Sequence, residues 1–377
     1  MRLLISLYKY FPYGGLQKDT LRFAREAAQR GHQVDLLTTD WQGERPTDTN
    51  LTIHFTPSIR AWTNTARMDD FAKHVEKFRR QHAFDVTLAM NRIPGADFYF
   101  AADSCLKHYL RQKHWPVTLA LLPRYKAILR QEKAVFSPLA KTRIFTISDA
   151  QVHEFQEEYS TQPERFCPLP PGMDEACLPP PPEQAAKLRK DARKKLGVKD
   201  DEFLLLLVGT SFFRKGADRA LATLGALPSE LRRRTHFAMV GNNPSEKLYS
   251  FVKNLPVLSN FVHPVPPQEH VTEYLLAADL MVHPAREEGT GTVLVEALSC
   301  GLPVICTEVC GFSPYVAAAG CPVIPEPFSQ GVLTSAVAAA LVSLPELRER
   351  TATYAASQDF CARSRSAIDA MERFLRQ

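Results

Sequence analysis

The chain has 377 residues, more than one compact core ordinarily holds, so two domains are expected. With 45% hydrophobic and 23% charged residues and a net charge of +5 the composition is globular, nothing in it indicates disorder, and no run of about 20 apolar residues offers a membrane span. The eight cysteines contain no CxxC pair and none stands at zinc-ligand spacing from a histidine, so free thiols in a reducing compartment are expected, and Met1–Leu7 is too short for a signal peptide.

The predicted elements open with a buried strand over Arg2–Leu7, a turn at Gly14-Gly15 and a helix over Leu16–Arg30. Leu21, Phe23, Ala24, Ala27 and Ala28 recur in that helix at helical spacing, and Gly31 stops it. A strand over His32–Thr38 completes a βαβ unit, from which parallel sheets are built. Strands follow at Leu51–Phe55, Val86–Ala89 and Ile144–Ser148.

Proline density then rises. Pro168-Leu169-Pro170-Pro171-Gly172 and Pro179–Pro182 read as a stiff linker, which puts the domain boundary at 168/169. Beyond it, strands at Phe203–Gly209, His236–Gly241, Asp279–His283, Pro303–Thr307 and Cys321–Ile324 alternate with helical patterns at Ala217–Gly225, Pro244–Asn254, Gln268–Ala278, Thr292–Cys300 and Gln330–Leu344. Such alternation predicts a second open parallel sheet in residues 169–356. Residues 357–377 form one more amphipathic helix, which a two-lobed fold would return to the first domain.

The residues richest in chemistry are His283-Pro284-Ala285-Arg286-Glu287-Glu288-Gly289-Thr290-Gly291-Thr292-Val293-Leu294-Val295-Glu296, a strand end, a glycine turn and a helix start. A helix beginning near Gly291 leaves Glu288 in the loop and Glu296 in the second turn, so both carboxylates can face one ligand. Carboxylates accept hydroxyl pairs, as a sugar and a ribose present them, and the Gly291 and Thr292 amides with the helix dipole suit a phosphate between the two. The bland alternative is a capping acid and a surface ion pair; the glycine context favours the site. A second loop, Gly209-Thr210-Ser211-Phe212-Phe213-Arg214-Lys215-Gly216, again joins strand to helix, and its adjacent cations can neutralise a diphosphate.

Gly14-Gly15, with Asp19 one helical turn later, lets backbone approach a ligand or simply makes a tight turn. Asp103, after an apolar run, is either a site residue or a helix N-cap. Between Cys105 and Lys133, seven lysines and arginines stand against the single acid Glu132 and interleave with Tyr109, Trp115 and Tyr125. That pattern suits an anionic membrane surface or, equally, a solvated helix face. No nucleic-acid motif accompanies it.

Together the Glu288-x7-Glu296 element, Arg214-Lys215-Gly216 and Gly14-Gly15 resemble the retaining family-four glycosyltransferases of the GT-B fold, two Rossmann-like doubly wound α/β domains facing a central cleft. More narrowly, Leu7–Gln17, Tyr99–Asp103, Pro163–Phe166, Leu169–Gly172 and Glu326–Gln330 resemble the members that add glucose to an inner-core heptose of bacterial lipopolysaccharide. That resemblance implies a UDP-sugar donor, with Arg214 and Lys215 on the diphosphate and Glu296 on the ribose. Glu288 with Gly289, Thr290, Gly291 and Thr292 would hold the hexose and β-phosphate, Val265 the uracil, and Gly14, Gly15 and Gly209 would line the donor site. Asp103 stands where the wider family often has a histidine contacting the donor sugar, and Asp19 is assigned to the acceptor side or to the nucleophile's proton. Arg214, Lys215 and Glu288 are the further catalytic candidates. With cations in place of a divalent ion, and no Asp-x-Asp triplet in the chain, no metal or other cofactor is expected. The implied location is cytoplasmic, at the inner face of the cytoplasmic membrane. Three other readings are a UDP-sugar epimerase, a non-catalytic UDP-sugar sensor, and an NAD-dependent oxidoreductase; the last wants a Gly-x-Gly-x-x-Gly that residues 14–19 lack.

Overall fold

Leu3, Leu4 and Ile5 are all buried in the strand Arg2–Ser6 (β1). Successive side chains of a strand point to opposite faces, so both faces of this sheet are covered. Leu3 and Ile5 accordingly join one hydrophobic cluster and Leu4 another. The computed structural model describes residues 1–12, 14–57, 62–113, 123–241, 260–268 and 270–377. They form two units, one of Met1–Gly172 with Ala362–Gln377 and one of Met173–Cys361.

In the first unit the other strands are Gln33–Thr38 (β2), Leu51–Phe55 (β3), Val86–Ala89 (β4), Phe98–Phe100 (β5), Arg143–Thr146 (β6) and Phe166–Pro168 (β7). They pair in parallel in the order β3-β2-β1-β4-β5-β6-β7. Helix Gly15–Gln29 buries Phe23, Ala24 and Ala27, and the chain's last helix, Arg363–Leu375, adds Ala367, Ile368 and Met371 to the same cluster. Its Glu372 lies 2.8 Å from His32 Nε2.

The second unit has strands Phe203–Gly209 (β8), Thr235–Gly241 (β9), Val262–Val265 (β10), Leu280–His283 (β11), Val304–Thr307 (β12) and Val323–Ile324 (β13). Their order is β10-β9-β8-β11-β12-β13, again parallel, around one cluster that includes Leu204–Leu207, Phe237, Leu294 and Leu298.

The proline-rich segment differs from the stiff linker expected of it. Pro168 ends the edge strand β7, where its missing N–H breaks no ladder bond, and Pro182 opens the helix Pro182–Lys195 at a position whose amide would be unpaired anyway. The unit boundary follows Gly172, four residues beyond the position expected. Helices Asn64–Gln81, Asp149–Tyr159 and Leu344–Ala356 were not foreseen; the expected helix 268–278 is the shorter Thr272–Ala277, and that at 244–254 lies outside the described residues. Among the described residues no single helix is long and apolar enough to cross a membrane.

Candidate active site

β8 ends at Gly209 and leads through residues 210–216 into helix Ala217–Ala226, while β11 ends at His283 and leads through residues 284–291 into helix Thr292–Ser299. These two strands are neighbours, and the strand order reverses between them. At such a switch point the flanking connections diverge to opposite faces of the sheet, leaving a crevice beyond the strand ends where ligands sit.

The two loops are sewn together. Gly216 has φ of 75°, and a Cβ there would stand 2.0 Å from the Pro284 carbonyl oxygen, so only glycine allows the approach. The Arg286 amide donates to the Arg214 carbonyl at 2.8 Å, and its guanidinium makes two 2.8 Å bonds to Asp218 while lying over the Phe213 ring. Burial would raise the Asp218 carboxyl, but the bonds from Arg286 outweigh it and hold the group below its ordinary range.

This stitching brings Lys215 and Glu288 into an ion pair through Glu288 Oε2. Lys215 is buried, and that burial, followed by the charge of Arg214, pulls its ammonium down to about 8. The same carboxylate oxygen lies 3.3 Å from Nε2 of His283. His283 is wholly enclosed, and burial, then the charges of Lys215 and Arg214, bring its imidazole down to about 3, so the ring is neutral around pH 7. Behind the carboxylate, a parallel bridge between Glu288 and Cys310 and a 2.8 Å bond from the Phe312 amide to the Thr290 carbonyl hold the loop. Gly291, at φ of 81°, caps helix Thr292–Ser299, whose amide end follows directly on this loop.

The predicted residues thus separate into groups. Gly209, Lys215 and Glu288 stand together, with Arg214 exposed beside them and Gly289, Thr290, Gly291 and Thr292 forming the turn. Glu296 is half-buried in the second turn of its helix. Val265 ends β10, two strands away from β8, in register with Val240. Gly14, Gly15, Asp19 and Asp103 belong to the other unit. Gly14 and Gly15 precede and begin the helix after β1, and Asp103 is exposed in the loop after β5, so they lie beyond the carboxyl ends of strands on either side of β4. Asp19 accepts a 2.9 Å bond from Arg363. The N-cap reading of Asp103 is overturned: helix Leu106–Lys113 starts three residues later, and its cap is the buried Glu132, which accepts from the Leu106 and Lys107 amides at 3.0 Å. Among the described residues one group, His108, Glu157 and Glu158, could gather around a metal ion, but Lys107 and Arg111 already neutralise Glu158 at 3.1 and 2.7 Å.

Two family models cover most of the sequence, "Glycosyltransferase Family 4" over residues 13–176 and "Glycosyl transferases group 1" over 189–358. The lipopolysaccharide glucosyltransferase WaaG of Escherichia coli is 38% identical over 376 residues, 98% of either chain. The chain belongs to glycosyltransferase family 4. A crystal structure of WaaG, described as a glycosyltransferase involved in lipopolysaccharide biosynthesis, superposes on this transferase with a TM-score of 0.82 at 37% identity, covering 98% of it and 99% of WaaG. Sucrose-phosphate synthase from Thermosynechococcus elongatus, at 16% identity and a TM-score of 0.73 over 99% and 98% of the chains, shares the fold. The two parallel-sheet units of the transferase are therefore those of a GT-B enzyme.

His283 and Arg286 lie inside the run 283–296, yet the sequence pattern assigns neither a task. A histidine closing an otherwise apolar strand, Leu280-Met281-Val282-His283, was the available signal for the first. The partnership of Arg286 with Asp218, 68 residues earlier, left none.

Proposed function

We propose that this transferase moves glucose from UDP-glucose to an inner-core heptose of lipopolysaccharide with retention at the anomeric carbon, as a lipopolysaccharide core glucosyltransferase I. The observation that carries the donor reading is the Lys215–Glu288 pair at the switch point of the second sheet, beside the amide end of helix Thr292–Ser299. A cation and a carboxylate side by side match a diphosphate joined to a hexose: Lys215 with Arg214 takes the diphosphate, and Glu288 takes hydroxyls of the sugar. Glu296 holds the ribose, Val265 the uracil, and Gly14, Gly15 and Gly209 admit the donor. Asp103 takes the place of a histidine at the donor sugar, and Asp19 serves the acceptor side or the proton of the attacking hydroxyl. The high similarity to the E. coli enzyme over both chains supports the choice of donor and acceptor.

In the proposed step the acceptor hydroxyl oxygen bonds to the anomeric carbon on the face that UDP leaves. The bond from that carbon to the β-phosphate oxygen breaks, and the hydroxyl proton passes to a phosphate oxygen. Negative charge develops on UDP, and Arg214, Lys215 and the Gly291 and Thr292 amides stabilise it; removing one such donor costs about 3 to 4 kcal/mol of barrier. These cations do the work of a divalent ion, so the reaction proceeds without metal.

We further propose that the segment 105–133, of which residues 114–122 lie outside the described residues, rests on the anionic inner face of the cytoplasmic membrane. The only acid in the segment, Glu132, is buried, while Lys126 and Lys133 are exposed. Lys107 and Arg111 pair with Glu158 and Arg130 with Asp69, which lowers the charge available to a membrane. Sedimentation with anionic liposomes, reversed by salt, is the expected result; absence of binding at low salt overturns this part.

The test of the reaction is transfer from radiolabelled UDP-glucose to lipopolysaccharide truncated at the inner-core heptose, with EDTA present, by wild type, Lys215→Ala and Glu288→Ala. Transfer by wild type alone supports donor, site and metal independence together. UDP binding without transfer points to another hexose or acceptor, or to a sensor, and conversion of the UDP-sugar without acceptor to an epimerase.

A further inference from the structure

His283 is a buried polar group with no part in the reaction as described above. Its Nε2 lies 3.3 Å from Glu288 Oε2, the oxygen that Lys215 also meets, and its Nδ1 is buried without a hydrogen-bond partner. A neutral imidazole has one N–H and one lone pair. With a carboxylate facing Nε2, the proton belongs on Nε2, and the enclosed Nδ1 keeps an unsatisfied lone pair. An unsatisfied buried acceptor is a cost that an apolar side chain would avoid. The three preceding residues of β11, Leu280, Met281 and Val282, are apolar and equally buried, so packing alone does not call for an imidazole here. Glu288 is the partner that gives it a use.

We infer that His283 is a positioning residue for Glu288: its Nε2–H holds Oε2 in place when Lys215 turns from that oxygen to the donor diphosphate, so that the other oxygen stays directed at the hexose. This rests on the donor reading of Lys215 and Glu288. Lys215 cannot neutralise Glu288 and the diphosphate fully at once, so donor binding weakens the carboxylate's strongest tether. The carboxylate then depends on the remaining donor. His283 keeps a single proton, because burial and the charges of Lys215 and Arg214 oppose a second one near pH 7, and the facing carboxylate keeps that proton on Nε2. It bears on the sugar, through Glu288, and leaves the diphosphate contacts to the cations. Loss of His283 therefore separates two affinities that a general collapse of the site would lower together.

The experiment measures UDP affinity by calorimetry and kcat/KM for transfer from UDP-glucose in the full chain, for His283→Leu, His283→Gln and His283→Asn. The glutamine amide reaches the Nε2 position; the shorter asparagine does not. Expected are UDP affinities within about threefold of wild type for all three, kcat/KM reduced about tenfold or more in the leucine and asparagine variants, and most of it regained with glutamine. Equal kcat/KM for glutamine and asparagine overturns the inference even if the leucine variant fails to fold, and so does a parallel loss of UDP affinity. Glu288→Ala separates the two layers: if it transfers glucose normally, the donor reading falls and the inference with it, whereas if it is inactive and His283→Leu is not, the inference alone falls.

Discussion

Asp19 and Arg363, 344 residues apart in the chain, meet in a buried ion pair of 2.9 Å that ties the helix after β1 to the chain's last helix. Arg22 donates to the other Asp19 oxygen at 3.3 Å and to the Gly172 carbonyl at 2.8 Å, and Arg363 donates to the Pro170 carbonyl at 3.2 Å. Arg22 neutralises Asp19 only in part once its buried partner is lost, so Arg363→Ala is expected to destabilise the first unit by about 3 kcal/mol. A fall of roughly 10 °C in Tm, followed by circular dichroism, checks this. Asp19→Asn divides its two roles: anchoring alone lowers Tm as Arg363→Ala does, and a place on the acceptor side lowers kcat beyond that.

The Lys215 ammonium, brought down to about 8, gives donor binding a pH dependence of defined sign. Below pH 8 the group is charged and, on the proposed donor reading, holds the diphosphate; above it the free enzyme is neutral there and binding must first take up a proton. UDP affinity is therefore expected to fall by up to about tenfold per unit as pH rises from 8 to 9.5, a range in which the diphosphate's own charge is constant. Calorimetry with wild type should show the slope, and Lys215→Ala should bind weakly and without it.

Gly216→Ala is expected to disable donor binding by separating the two loops. The added methyl would meet the Pro284 carbonyl at 2.0 Å in a backbone conformation already strained for alanine. Destabilisation of about 1 to 3 kcal/mol and a UDP affinity lower by about tenfold or more are the expected outcomes, read by thermal shift and calorimetry.

Asp279 tests stability away from the site. It is buried and bonded to Arg189, Arg193 and Arg348 at 2.7, 2.9 and 2.6 Å, and to the Leu204 amide at 2.8 Å. Burial raises its carboxyl, but the charges of Arg189 and Arg348 and these bonds hold it below its ordinary range. A depressed folded value stabilises above the unfolded one, near pH 4, and that stability is lost as pH falls through the folded value. Asp279→Asn is expected to lose about 3 to 5 kcal/mol at pH 7 and to lack this part of the acid transition. Urea unfolding from pH 7 to 3 checks it, with kcat per folded molecule unchanged.

Several strands were legible as short runs rich in apolar residues; Leu51–Phe55, Val86–Ala89 and Phe203–Gly209 fall where the pattern puts them. Phe98–Phe100 and Phe166–Pro168 were not, since three residues carry no period and a proline argues against a strand until the sheet is known to end there. The amphipathic helix Asn64–Gln81 was missed for a different reason: its apolar face is narrow and its polar residues numerous, so only packing on the sheet picks it out.

By itself the sequence determined the class of fold and the types of group at the site: two alternating α/β halves, a loop with adjacent cations, and a loop with a carboxylate before a helix. Those are local properties, set by apolar period and by glycine at strand-to-helix turns. The tertiary structure alone decided that Lys215 and Glu288 touch, that Asp19 is bound to Arg363, and that Glu132, read as one acid in a basic stretch, is a buried helix cap. Each depends on strand order or helix docking, which bring residues far apart in the chain within bonding distance, and the strength of a charge there depends on how much water the fold has removed from it.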